Sequence, residues 1–124
     1  MIYIGIDGDN VGNIMERYII ENDEENVRKV SFNIENDIET LTRHLSDRGF
    51  KIIISAGDNI LCRGESINKN DLKEMLRELS NCCSFSVGIA STMKDTYLAL
   101  KYAKVIGKNA IVDYENEKFQ VFEL

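Results

Sequence analysis

The chain contains no proline, no internal repeat, no low-complexity tract and no stretch that reads as a linker, so its 124 residues are expected to form a single domain over 1–124. Cysteine is scarce. Cys62, Cys82 and Cys83 are odd in number and lack a C-x-x-C pair, which argues against both a disulfide framework and a zinc site. Reduced thiols in a cytoplasmic protein are the expectation. The lone histidine, His44, falls in a charged helical segment, so histidine-based catalysis is not expected. Basic residues are outnumbered 15 to 21, for a net charge of −6. That balance speaks against a long nucleic-acid partner held by basic residues alone. No apolar run approaches the roughly 20 residues of a membrane helix, and the start shows neither a basic n-region nor a long apolar segment. No membrane partner and no signal peptide are expected.

What the chain does have begins at its first residues, MIYIGIDGDNVG. The apolar strand Ile2–Ile6 runs directly into Asp7 and Asp9, one residue apart in a glycine-bracketed turn. Carboxylates at the end of a buried strand risk a desolvation cost. Three readings are open: the acids cap the next helix, sit in a wet loop, or hold a divalent metal.

The rest of the pattern limits the choice. Asn10 is placed to cap a helix running to Ile20. A long helix is predicted from Glu24 to Arg48, its apolar Val27, Val30, Ile34, Ile38, Leu41 and Leu45 spaced 3, 4, 4, 3 and 4 apart, with Gly49 ending it. Phe50–Ala56 follows as a strand whose consecutive Ile52, Ile53 and Ile54 suggest a central position covered on both faces. Gly57-Asp58-Asn59 turns the chain into a second arm, Ile60–Arg63. Asp71–Leu79 is an amphipathic helix and Ser84–Ser91 a strand. Thr92 caps a helix to about Ile106, ended by Gly107, and Ala110–Asp113 with Phe119–Phe122 forms a terminal hairpin.

The order β-α-β-β-α-β predicts an α+β, ferredoxin-like fold: an antiparallel sheet of order 4-1-3-2 with helices on one face, followed by a C-terminal helix and short hairpin. In that order strands 1 and 3 are antiparallel neighbours. The end of strand 1, carrying Asp7, then lies beside the hairpin carrying Asp58, so the first acids have a partner acid. Converging carboxylates repel unless a cation neutralises them, and an all-oxygen set suits Mg²⁺ or Mn²⁺. Asp7 and Asp58 are the expected ligands, the Gly8 carbonyl a third, and Asp9 a ligand of a second ion. Gly8 and Gly12 allow close approach of a phosphate, and the amides of Asp9, Asn10, Val11 and Gly12 open a helix as an anion cradle. Lys104 and Lys108 stand four residues apart on one helix face. Either they stay solvated and complement the helix dipole, or they clamp the β- and γ-phosphates of a nucleoside triphosphate.

Three stretches together resemble a known family. The Asp7-Gly8-Asp9 opening, the hairpin Ser55-Ala56-Gly57-Asp58-Asn59, and the late Ser86-Val87-Gly88-Ile89-Ala90 with Ala99-Leu100-Lys101-Tyr102-Ala103-Lys104-Val105-Ile106-Gly107-Lys108-Asn109 are similar to the palm of GGDEF diguanylate cyclases and of the polymerase subunit of type III CRISPR complexes. Size and the D-G-D-x-x-G opening look most like the minimal CRISPR polymerase-like (mCpol) proteins. The resemblance implies a palm that joins nucleoside triphosphates by 3′-hydroxyl attack on an α-phosphate, releasing pyrophosphate and yielding a cyclic di- or oligonucleotide signal in antiviral defence. It implies Asp7 and Asp58 as catalytic metal ligands, Lys104 and Lys108 as triphosphate ligands, and a homodimer or higher oligomer in which two palms face each other. Two positions depart from the pattern. Asn59 replaces a hairpin acid, so a second metal would depend on Asp9, and a degenerate palm that only binds a nucleotide is the alternative. Met15 replaces the asparagine that reads guanine in diguanylate cyclases, which favours ATP.

Overall fold

The computed structural model describes residues 1–124 as one six-stranded sheet with four helices. In chain order the elements are β1 (Ile2–Gly8), α1 (Val11–Ile20), α2 (Glu24–Asp47), β2 (Lys51–Ala56), β3 (Asn59–Gly64), α3 (Lys69–Leu79), β4 (Phe85–Ala90), α4 (Met93–Val105), β5 (Ala110–Glu115) and β6 (Lys118–Glu123). The sheet order is β2-β3-β1-β4-β5-β6. Its first four strands give the predicted ferredoxin-like 4-1-3-2 arrangement, all antiparallel. The terminal hairpin extends this sheet, β5 pairing parallel to β4. A parallel neighbour needs a crossover, and α4 supplies it.

Alternation along β1 and β4 sets the two layers. Ile4, Ile6, Val87 and Ile89 face α2 and α3 in one continuous core with Ile34, Ile38, Leu41, Leu45, Leu72 and Leu76. Gly5 and Gly88, paired across β1 and β4, face the other way. There α4 lies directly on the sheet, with Ala99 and Ala103 packed around Val112. A Cβ on Gly88 would stand 2.4 Å from the Thr96 carbonyl oxygen and 2.5 Å from the Leu100 nitrogen. Both are backbone atoms, so no side chain can turn aside. Gly88→Ala is expected to push α4 off the sheet and cost about 3 kcal/mol, read as a lower urea midpoint.

Local expectations meet the structure unevenly. Thr92 caps α4, its Oγ1 accepting from the Asp95 amide at 3.1 Å. Gly49 ends α2 with φ of 88°. Asn10 does stand at the N-cap of α1, but in the left-handed region (φ 60°) and without a capping hydrogen bond. Its side chain instead accepts from Lys108. The isoleucine run of β2 does not mark a doubly covered strand. β2 is the sheet edge, a register shift falls between Ile52 and Ile54, and Ile53 and Ile54 are 41% and 47% exposed. No helix is long and apolar enough to cross a membrane.

Candidate active site

The antiparallel register of β1 and β3 sets Asp7 opposite Asn59, the residue after Asp58. The Gly8 amide donates to the Asp58 carbonyl at 2.9 Å, which closes the hairpin turn onto the end of β1. A Cβ on Gly8 would come within 3.3 Å of Asp58 Oδ2 and 2.9 Å of a Val11 methyl carbon. Glycine at this position therefore makes room for the Asp58 carboxylate beside the strand end. The expected meeting of Asp7 and Asp58 is present. Burial raises the Asp7 carboxyl above its usual range, and the nearby Asp58 and Asp9 raise it further, against the pull of Lys104.

Asp9 has a different environment. It is 3% exposed, and each of its carboxylate oxygens has two donors. Oδ1 accepts from Ser86 Oγ at 2.6 Å and Lys104 Nζ at 2.8 Å, while Oδ2 accepts from Ser84 Oγ at 2.6 Å and the Asn109 amide at 2.9 Å. Burial alone would raise its pKa, yet the bonds from Lys104, Ser84, Ser86 and Asn109 together bring it below the ordinary carboxylate range. Its acceptor directions are full, so in this arrangement Asp9 is not free to ligate the second ion expected of it. Its amide is likewise taken, donating to the Ser84 carbonyl at 2.9 Å. The anion cradle expected from Asp9 through Gly12 thus begins at Asn10, with the opening amides of α1, at Val11 and Gly12, lacking a preceding helical turn to bond.

The two lysines also part company. Lys104 reaches into the site: besides Asp9, its Nζ donates to the Gly8 carbonyl at 2.9 Å and stands 3.3 Å from Asp7 Oδ2. It is not a solvated helix-end charge. Lys108 lies nearer the surface and bonds the Asn10 side chain at the mouth of α1. Positive φ at Gly107, Lys108 and Asn109 (134°, 66° and 49°) turns the chain back so that the Asn109 amide meets Asp9.

Beside Asp58 opens a cleft of about 760 Å³ between α1, α2 and the β2–β3 hairpin. Met15, Ile34 and Ile38 form its apolar side, and Glu35 and Glu39 are among its lining residues. Sequence reasoning missed these two acids and the two serines that hold Asp9. The serines left a trace in the late segment, where Ser86 alternates with the apolar core residues of β4. Glu35 and Glu39 left none, since exposed acids on a helix look like a solvated face.

The donor set fits a divalent cation on charge. Around Asp7 stand two further carboxylates, Asp9 and Asp58, and one ammonium, Lys104, so the group carries two negative charges in excess. No three acid, histidine or cysteine side chains converge into a preformed metal cage. Two carboxylates and the Gly8 carbonyl are the available protein ligands, a sparse set of the kind Mg²⁺ completes with water and substrate phosphates.

The fold is shared with known proteins. Among solved structures, a diguanylate cyclase/phosphodiesterase from Caldicellulosiruptor saccharolyticus aligns with a TM-score of 0.66 at 20% identity, over 96% of this chain and 78% of its own. The GGDEF domain of DgcB from Caulobacter crescentus, in complex with c-di-GMP, aligns at 0.65 and 14% identity over 90% and 76%. The guanylyl cyclase Cya2 aligns at 0.60 and 14% over 91% and 73%. At such identities these likenesses establish a shared palm-like fold. No curated protein matches the chain. The model of the minimal CRISPR polymerase domain, mCpol, matches residues 3–114, nearly the whole length, and the chain belongs to that family.

Proposed function

We propose that this protein is a metal-dependent nucleotidyltransferase that joins nucleoside triphosphates, ATP by preference, into a cyclic di- or oligonucleotide signal used in antiviral defence. The observation that carries the reading is the approach of Asp7 and Gly8, at the end of β1, to Asp58, which itself lines a nucleotide-sized cleft shared with Val11 and Gly12 at the start of α1. Asp7 and Asp58 would hold Mg²⁺ or Mn²⁺, which when bound polarises the α-phosphate and favours ionisation of the attacking 3′-hydroxyl. The amides of Asn10, Val11 and Gly12 receive phosphate oxygens at the positive end of the helix. Lys108 contacts the outer phosphates after leaving Asn10. The new bond joins the 3′-oxygen to the α-phosphorus, the hydroxyl proton passes to water, and the bond to pyrophosphate breaks.

The cleft takes the base. Met15, Ile34 and Ile38 give an apolar wall, and Glu35 or Glu39 accepts a hydrogen bond from the exocyclic amine of adenine. Each palm offers a single such site, so the second nucleotide comes from a facing copy across a two-fold axis, in a homodimer or larger assembly. Asn59 opposite Asp7 favours a second reading, a palm that binds nucleotide without turning it over.

Pyrophosphate release from ATP, GTP and their mixture in Mg²⁺, with mass spectrometry of the products, tests these statements. ATP consumption that rises faster than in proportion to protein concentration is expected. Thermal stabilisation by ATP and Mg²⁺ without pyrophosphate would favour the binding module, and preference for GTP would overturn the assignment of the base. Lys108→Ala is expected to weaken binding of an unreactive ATP analogue by about 1.5–3 kcal/mol, roughly ten- to a hundredfold, in a calorimetric titration. An unchanged affinity would mean that Lys108 stays on Asn10.

A further inference from the structure

We infer that the Lys104 ammonium fills one of two adjacent cation positions in this site, so that the protein takes one divalent ion where an all-carboxylate palm would take two. The inference rests on the assignment of Asp7 and Asp58 as metal ligands. The oxygens around Lys104 Nζ are Asp9 Oδ1 at 2.8 Å, the Gly8 carbonyl at 2.9 Å, and Asp7 Oδ2 and carbonyl at 3.3 and 3.4 Å. Two carboxylates of a D-x-D turn and a backbone carbonyl are a set that a hard divalent cation would also take. A lysine has three N–H donors, and these oxygens engage all of them.

The ammonium is held there from both sides. Asp9 is locked by Ser84, Ser86 and the Asn109 amide, so it cannot turn away to follow the lysine. On the other side, Ala103, one residue before Lys104, is fully buried, and α4 is seated on the sheet through Gly88. Withdrawing the ammonium would leave a buried carboxylate with unpaired charge. The hairpin agrees: the residue in register with Asp7 is Asn59, so β3 offers no additional acid for a second ion. Charge agrees too, because with Lys104 in place the two remaining negative charges are balanced by a single divalent ion. Lys104 is then a positioning residue that holds Asp7 and Gly8 toward the ion, and the outer phosphates are left to Lys108 and the α1 amides.

The number of Mn²⁺ ions bound per chain, measured without nucleotide by electron paramagnetic resonance, tests this. Wild type should bind one ion, lost in Asp58→Asn. Lys104→Met, which keeps the aliphatic stem but removes the charge, should bind two and should gain a larger thermal shift from Mn²⁺ than wild type does. The double variant Asp9→Asn/Lys104→Met should return to one. Two ions in wild type, or one ion at unchanged affinity in Lys104→Met, would overturn the inference while leaving the Asp7–Asp58 site standing. If Lys104→Met fails to fold, Lys104→Gln, which keeps a donor toward Asp9 but removes the charge, is counted in its place on the same terms. No binding by wild type would remove both the metal site and this inference, whereas one ion lost in Asp58→Asn keeps the first whatever Lys104→Met does.

Discussion

Asp58→Asn is expected to abolish pyrophosphate release, by at least about a thousandfold, while the protein stays folded. The size would follow from removing a ligand charge of the proposed ion, which would stabilise several kcal/mol of transition-state charge. Stability should change by no more than about 0.5 kcal/mol, because the contact that closes the hairpin uses the Asp58 carbonyl, which asparagine keeps. The neighbouring acid gives an independent readout. Asp58 is one of the charges that raise the Asp7 carboxyl, so its removal should move the Asp7 titration, followed by NMR, back toward the ordinary carboxylate range. In wild type that raised value means protons would compete with the proposed ion earlier than at an ordinary carboxylate. Metal affinity should fall as pH drops through it. Appreciable turnover by Asp58→Asn in Mg²⁺ would show that the ion sits elsewhere.

Asp9→Ala should be strongly destabilising, by about 3–5 kcal/mol. It leaves Lys104 without its closest counter-charge and strips the acceptor from two serine hydroxyls and the Asn109 amide. Against a typical total of about 5–15 kcal/mol, that loss would unfold a sizeable fraction of molecules near physiological temperature. Asp9→Asn, which keeps an acceptor oxygen but not the charge, should lie between. The pH dependence has a defined sign. The Asp9 carboxyl is held below its unfolded value, so its contribution is present above the unfolded pKa and is lost as pH falls through the folded one. Urea midpoints measured from neutral pH downward should therefore fall for wild type, and Asp9→Ala should lack that part of the decline. Equal stability of variant and wild type at neutral pH would mean that the Asp9 network stabilises nothing.

Much of the architecture was legible because it depends on local chemistry. The 3-4-4-3-4 spacing that names the buried face of α2 is a property of the helix repeat, and Ile34, Ile38, Leu41 and Leu45 are indeed buried. Thr92 and Gly49 act where they stand. The pairing of Asp7 with Asp58 was legible one level up, since the β-α-β-β order makes strands 1 and 3 neighbours whatever their side chains. The isoleucine run in β2 misled because consecutive apolar residues report hydrophobicity and not what covers it. An edge strand with a register shift exposes two of the three.

By itself, then, the sequence determined the succession of elements, the family through its late Ser86–Ala90 and Ala99–Asn109 segments, and the convergence of acids at the end of β1. It could not assign partners among those charges. Asp7 and Asp9 are both acids of one turn, and Lys104 and Lys108 are both lysines of one helix face, so spacing treats each pair alike. Only the tertiary structure separated them. The close seating of α4 at Gly88 and the left-handed turn at Lys108 and Asn109 carry Lys104 and a backbone amide to Asp9, across sequence separations of 95 and 100 residues. Asp7 is left facing Asp58. Which carboxylate is neutralised by the protein and which remains for a cation depends on distances of about an ångström, and only packing sets distances on that scale.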